Sequence, residues 1–294
     1  LEFRRVLFRS PNRYGFSGPG GYTYINSKAS DFKKGTRASY GISNRIFRNR
    51  FMLTHSTGVL KNGFALTLSA SARNGNEVYI PGTYFNAQSF YLSMDKLFNE
   101  RHLLSFTGFY APVEQGRSNG ETLEAYDLAK DPYYNSAWGL QNNRVRNASV
   151  SRVNKPQLQA HYVWKPKPGV QWDQGVYYSF GKSGLTGLNW NDAPNPRPDY
   201  YRYLPSYYYD TGDSLQGLQL SQNWNLYTNT RQIDWDRMIR MNQSNLYSIP
   251  GSTLVNTTET RARYILENRI EDHQQWGYNS IYNQRKGEIG RAHV

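Results

Sequence analysis

Apolar and polar residues alternate with a period of two through much of this 294-residue chain. Successive side chains of a strand point to opposite faces, so such a run has one apolar and one polar side. The clearest run, Gly63 to Arg73, puts Phe64, Leu66, Leu68, Ala70 and Ala72 on one face and Ala65, Thr67, Ser69, Ser71 and Arg73 on the other. The pattern returns at Ala38, Tyr40 and Ile42, at Phe90, Leu92 and Met94, and at Leu104, Phe106 and Tyr110. It continues at Leu158, Ala160, Tyr162 and Trp164, then at Val176, Tyr178 and Phe180, and more weakly over Arg261 to Arg269. Residues 50–59 are strand-like without a clear division of faces.

The links between these runs alternate in length. Short ones fall at Lys61-Asn62, Asn99-Glu100-Arg101, Lys165 to Gly169 and Glu271-Asp272-His273. Long ones fall at 74–86, 112–155 and 183–257. Strict alternation after Val59 is the signature of an outer-membrane barrel, with short periplasmic turns and long extracellular loops. The link at 44–49 departs from it, being short on the long-loop side. Tyr162 and Trp164, at a strand end beside a short turn, suit either an interfacial aromatic girdle or cross-strand packing. A short helix is expected from Ser118 or Asn119 to Lys130, and helical spacing recurs over Ile233 to Met241. The prolines of Asn189 to Asp210 argue against regular structure there. The fold class expected is all-β: a partial antiparallel transmembrane barrel, an open curved sheet of about nine strands, with long extracellular loops carrying short helices.

Composition narrows the alternatives. The 25 Tyr, 7 Trp and 13 Phe are too many for a disordered chain. No stretch reaches the roughly 18 apolar residues of a transmembrane helix. There is no Cys, hence no disulfide framework or thiolate metal site. The ends read differently from the rest. LEFRRVLFRS (1–10) and EIGRAHV (288–294) resemble the two strands of a short-read sequencing adapter in translation. They hold four arginines and two glutamates, so setting them aside lowers the net charge from +13 to +11.

Residues 21–58, GYTYINSKASDFKKGTRASYGISNRIFRNRFMLTHSTG, resemble the end of the plug and the first barrel strands of Bacteroidetes-type TonB-dependent receptors. PRPDYYRYLPSYY (Pro196 to Tyr208) and EAYDLAKDPYYNSAWG (Glu124 to Gly139) resemble loop segments of the same group. The resemblance implies a plug inside a barrel of about 22 strands. It also implies uptake of a scarce ligand, an iron chelate, a glycan or similar, powered through the inner-membrane TonB complex. It divides the chain into the end of a plug at 11–33 and the early barrel at 34–287, between adapter at 1–10 and 288–294. The implied location is the bacterial outer membrane. The implied partners are the TonB complex, outer-membrane lipid and lipopolysaccharide, an unidentified small ligand and a surface lipoprotein. No cofactor and no nucleic acid are expected. A structural or adhesive barrel without transport, and a secreted carbohydrate-binding β-sandwich, are the competing readings.

The chain offers little reaction chemistry. Gly181-Lys182-Ser183 lacks the spacing and the following helix of a phosphate loop. His55, His102, His161 and His273 are not at metal-binding spacing, and no Ser–His–Asp arrangement can be argued. Asp234 and Asp236 suit a helix start, and Glu271-Asp272 a solvated turn. Asn147, Asn242 and Asn256 open glycosylation patterns without meaning in a bacterial envelope. No catalytic or metal residue is expected, and the protein is not read as an enzyme. Arg144, Arg146, Arg152, Arg197 and Arg202 could attract an anionic ligand or lipopolysaccharide phosphate, or simply be solvated. The residues singled out for ligand contact are Trp190, Tyr200, Tyr201 and Tyr203, because aromatic faces suit sugars and apolar chelates.

Overall fold

A computed structural model describes residues 3–5, 23–248, 258–260 and 262–284. The end stretches expected to be adapter, 1–10 and 288–294, lie outside these residues except for Phe3–Arg5, which pairs with Thr23–Ile25. The rest is built on one antiparallel sheet. Its strands are β1 (Gly35–Ile42), β2 (Asn49–Val59), β3 (Phe64–Asn76), β4 (Tyr84–Asn99), β5 (His102–Tyr110) and β6 (Val113–Gly116). After a hairpin of β7 (Trp138–Gln141) and β8 (Arg144–Asn147) follow β9 (Val150–Asn154), β10 (Gln157–Trp164), β11 (Val170–Trp190) and β12 (Tyr264–Gln284).

Two pairs of these strands are single strands interrupted by proline. β5 and β6 flank Pro112, and both pair with β4; β9 and β10 flank Pro156, and both pair with β11. The register is the same on either side of each break. Gln88 and Phe180 still donate their backbone N–H to the carbonyls of Pro112 and Pro156, so proline removes its own donor without ending the ladder. The sheet is thus an up-and-down meander of eight long strands. Among the described residues β1 pairs only with β2 and β12 only with β11, leaving two open edges.

Eight strands, rather than about nine, follow from one correction. Glu271-Asp272-His273 does not turn; it lies inside β12, opposite Ser183, Lys182 and Gly181. The unbroken ladder with β11 holds it there; Glu271 also accepts from Ser183 Oγ at 3.0 Å and pairs with Lys155 at 3.4 Å, and Asp272 pairs with Lys182 at 3.3 Å. The long links are also shorter than expected, at 77–83, 117–149 and 191–263, because strands run on into them.

The two faces are sharply different. One rung across the sheet reads Thr36, His55, Leu68, Leu92, Gly108, Leu158, Tyr178, Trp276. The next reads Gly35, Ser56, Thr67, Ser93, Thr107, Gln159, Tyr177, Gly277. Leu68, Leu92 and Trp276 of the apolar rung are 45%, 37% and 74% exposed, while Ser56, Thr67, Ser93 and Thr107 of the polar rung are buried. The apolar face is bare and the polar face is covered over the central strands β2 to β5, the reverse of a sheet packed on a core.

At the long-loop end the links fold over one another. α1 (Leu123–Ala129) starts at Thr122, whose Oγ1 accepts from the Ala125 N–H at 3.2 Å, so the cap is Thr122 rather than Ser118 or Asn119. The tyrosine-rich stretch is not irregular throughout. It carries a 3₁₀ turn at Tyr201–Tyr203 and α2 (Pro205–Asp210), where Pro205 takes the first helical turn, the place a helix tolerates it. α3 (Ser214–Leu226) follows, and α4 (Trp235–Ser244) is capped by Asp234 accepting from the Arg237 N–H at 2.8 Å. Ala125, Ala129, Tyr134, Leu204 and Trp224 form one buried cluster between the loops. Ala148, Ile233, Trp235 and Met238 form a second.

Candidate functional site

The four residues singled out for ligand contact do not all meet. Tyr200, Tyr201 and Tyr203 do, joined by Tyr207. Tyr200 contacts Tyr201 and Tyr203 edge-to-face at centroid distances of 4.8 and 5.3 Å, and Tyr201 contacts Tyr207 at 5.7 Å. The tight 3₁₀ turn and the start of α2 bring these rings together. Arg202 lies over Tyr201 and Tyr207, at 5.6 and 6.0 Å, and its Nε donates to the Tyr201 hydroxyl at 2.9 Å. Tyr201 is 53% exposed, so the group offers an aromatic surface with a cation at its rim. Trp190 is the last residue of β11, opposite Tyr264, and among the described residues shares no ring contact with that group.

The other basic candidates are mostly engaged. Arg146 stacks on Trp235 at 4.0 Å and donates to Gln141 at 2.6 Å. Arg152 pairs with Glu114 at 2.7 Å on the exposed face. Arg197 grips Asp199 through Nε at 3.0 Å and through a second, shorter bond from Nη2, which holds its guanidinium above the usual arginine range. Arg144 is exposed. The histidines are dispersed over the sheet. His55 bonds Thr36 at 2.8 Å, His102 bonds Tyr162 at 2.6 Å, His161 stands 3.9 Å from Asp173, and His273 lies in β12 opposite Gly181. Gly181-Lys182-Ser183 lies within β11.

Two polar sites escape a reading of the sequence. The first is in the loops. Glu121 accepts from the Ser136 N–H at 2.9 Å and lies close to the buried Asp199. Burial pushes the Glu121 carboxyl above the usual range; the Ser136 hydrogen bonds pull it back and the Asp199 charge pushes it up again. Burial likewise raises Tyr134 beside it. The second is on the covered face of the sheet. The 3₁₀ turn Ala29–Asp31 lies against β2, β3 and β4. Asp95, fully buried in β4, accepts from Ser30 through Oδ2, from the N–H at 2.8 Å and the hydroxyl at 2.6 Å. Next to this turn a cavity of about 240 Å³ is lined by Lys28, Ser105, Thr107, Gln159, His161 and Tyr177 among others. A carboxylate at an inward position of an alternating strand was the available signal for Asp95, but its partner lies 65 residues away in sequence.

On the bare face, Ala70 and Gly108 floor a wider apolar groove of about 510 Å³, walled by Leu53, Leu68, Phe90 and Leu158. Among the described residues no helix is long and apolar enough to cross a membrane. No family model matches the chain, and neither does any curated protein or solved structure.

Proposed function

We propose that the chain is the early-barrel part of a TonB-dependent outer-membrane receptor that takes up a scarce ligand. The observation that carries the barrel is the inversion of the faces, apolar out and polar in, which is the arrangement of a sheet with lipid outside and a wet lumen inside. The outward aromatics support it. His102, Trp164, Trp172 and Tyr282 stand directly opposite one another on four strands at the short-turn end. Eight residues further up the same strands come Tyr110 and Phe180. Eight residues span about 26 Å along a strand. At a tilt of about 40° that is roughly 20 Å of height, close to the apolar band of about 25 Å between two girdles. Above Phe180 the outward positions turn polar: Gln88, Glu114, Arg152 and Lys182.

The uptake reading adds three supports: the family resemblance, a pre-barrel segment seated on the inward face where a plug lies, and loops that present a tyrosine platform above the barrel. The sandwich reading is disfavoured, because a sandwich covers its apolar face. Leu68→Arg tests the barrel. In a bilayer it costs about 2–4 kcal/mol near the midplane. In a water-soluble sheet, where Leu68 is already exposed, it costs close to nothing, and that result would contradict the proposal. For uptake, Tyr200→Ala with Tyr201→Ala in the full-length receptor is expected to weaken ligand affinity and energised uptake at normal surface display.

A further inference from the structure

We propose that Asp95 is a latch that holds the segment Asn26–Phe32 on the inward face of the sheet and releases it as a unit. The inference rests on reading that segment as the end of a plug. The wall at this place is built to receive a close backbone. Ser56, Ala65, Thr67 and Ser93, all small and buried, form its floor across β2, β3 and β4. Ala29 is fully buried against it.

The segment is held by few bonds. Asp95 Oδ2 accepts both bonds from Ser30, Tyr91 donates its hydroxyl to the Ser27 carbonyl, and Phe32 meets the Tyr91 ring at 6.3 Å. The segment also stiffens itself through the Asn26–Asp31 side-chain bond. Beside the turn the wall also carries buried polar atoms. Asp95 Oδ1 and Ser105 Oγ, on directly opposed residues of β4 and β5, are buried without a protein partner, and so is His161 Nδ1 on the next strand. Buried polar atoms without partners favour hydration. One carboxylate, accepting twice from Ser30, is the main polar tie between the wall and the turn. Losing it lifts the turn from the wall and opens the cavity that Asn26, Ser27 and Lys28 close against Ser105 and His161.

The absence of cysteine allows a direct test with single introduced thiols. Ala29→Cys places a reporter under the latch, and Ala125→Cys, fully buried among the loops, reports on the fold elsewhere. Maleimide labelling of both is followed in detergent, alone and combined with Asp95→Ala or Ser30→Ala. Hydrogen bonds to a charged acceptor are strong enough that Asp95→Ala is expected to speed labelling at position 29 about tenfold or more, Ser30→Ala less, with position 125 unchanged. An unchanged rate at position 29 overturns the latch. Equal acceleration at both positions also overturns it, since Asp95 would then serve the whole fold. The labelling does not depend on insertion into lipid, so failure of the latch and failure of the barrel are read separately.

Discussion

Glu121 ties the loops to pH. Its carboxyl is raised in the folded chain, chiefly by burial, so folding favours the protonated form. The stabilisation is complete below the ordinary glutamate range and is lost as pH rises through the raised value. Protection from hydrogen exchange in the links 117–149 and 191–231, taken relative to the intrinsic exchange rate at each pH, is expected to be greater at about pH 4 than at about pH 8, and Glu121→Gln to flatten that difference. Trp224 of α3, buried with Ala125 and Ala129 of α1, is the largest side chain of its cluster. Trp224→Ala is expected to cost about 3–5 kcal/mol, read as lost protection in the same links. Gly139 lets the hairpin approach the second cluster. The Ile233 N–H donates to the Trp138 carbonyl at 2.9 Å, and a Cβ on Gly139 would meet the Ile233 carbonyl oxygen at 1.9 Å. Gly139→Ala should separate hairpin and loop and cost at least about 1–3 kcal/mol. Of the residues read from sequence as a ligand site, the three tyrosines are brought together because they are neighbours in the chain. Trp190 is not, since strand and loop part after it.

Strand elements were legible where the outward face is apolar. From Ala38 to Phe180 the alternation marks β1, β3, β4, β5, β10 and the first half of β11, and the observed faces follow it. Legibility ends where the outward residues turn polar. β6, β9 and the far half of β11 keep no apolar face, so 112–116, 150–155 and 183–190 read as loop; the start of β12 shows only the weak run over Arg261 to Arg269, and Glu271-Asp272-His273 read as a turn. The strands continue there because neighbouring backbones still need hydrogen-bond partners. α3 was invisible for a related reason. Leu215, Leu218 and Leu226 stay exposed, and Trp224 is its only large buried side chain, so there is no apolar stripe to detect. α4 was visible through Asp234, Asp236 and its spacing. Asp234→Ala should remove about 1 kcal/mol from that helix, measurable as faster exchange over Trp235–Ser244.

At the scale of the whole molecule, the central fact is a sheet that shows water its greasy side. Tyr40, Phe51, Leu68, Phe90, Met94 and Trp276 all lie on that side, each at least 40% exposed. A face of this kind needs a cover, and its two open edges need further strands. The larger barrel in lipid that we propose would supply both. The most direct test labels single cysteines introduced one at a time from Phe64 to Ala72 with a fluorophore, in bilayers carrying nitroxide lipid. The account predicts alternation, with strong quenching at positions 64, 66, 68, 70 and 72 and little at 65, 67, 69 and 71. Uniform quenching, no quenching, or quenching at the odd positions would contradict it.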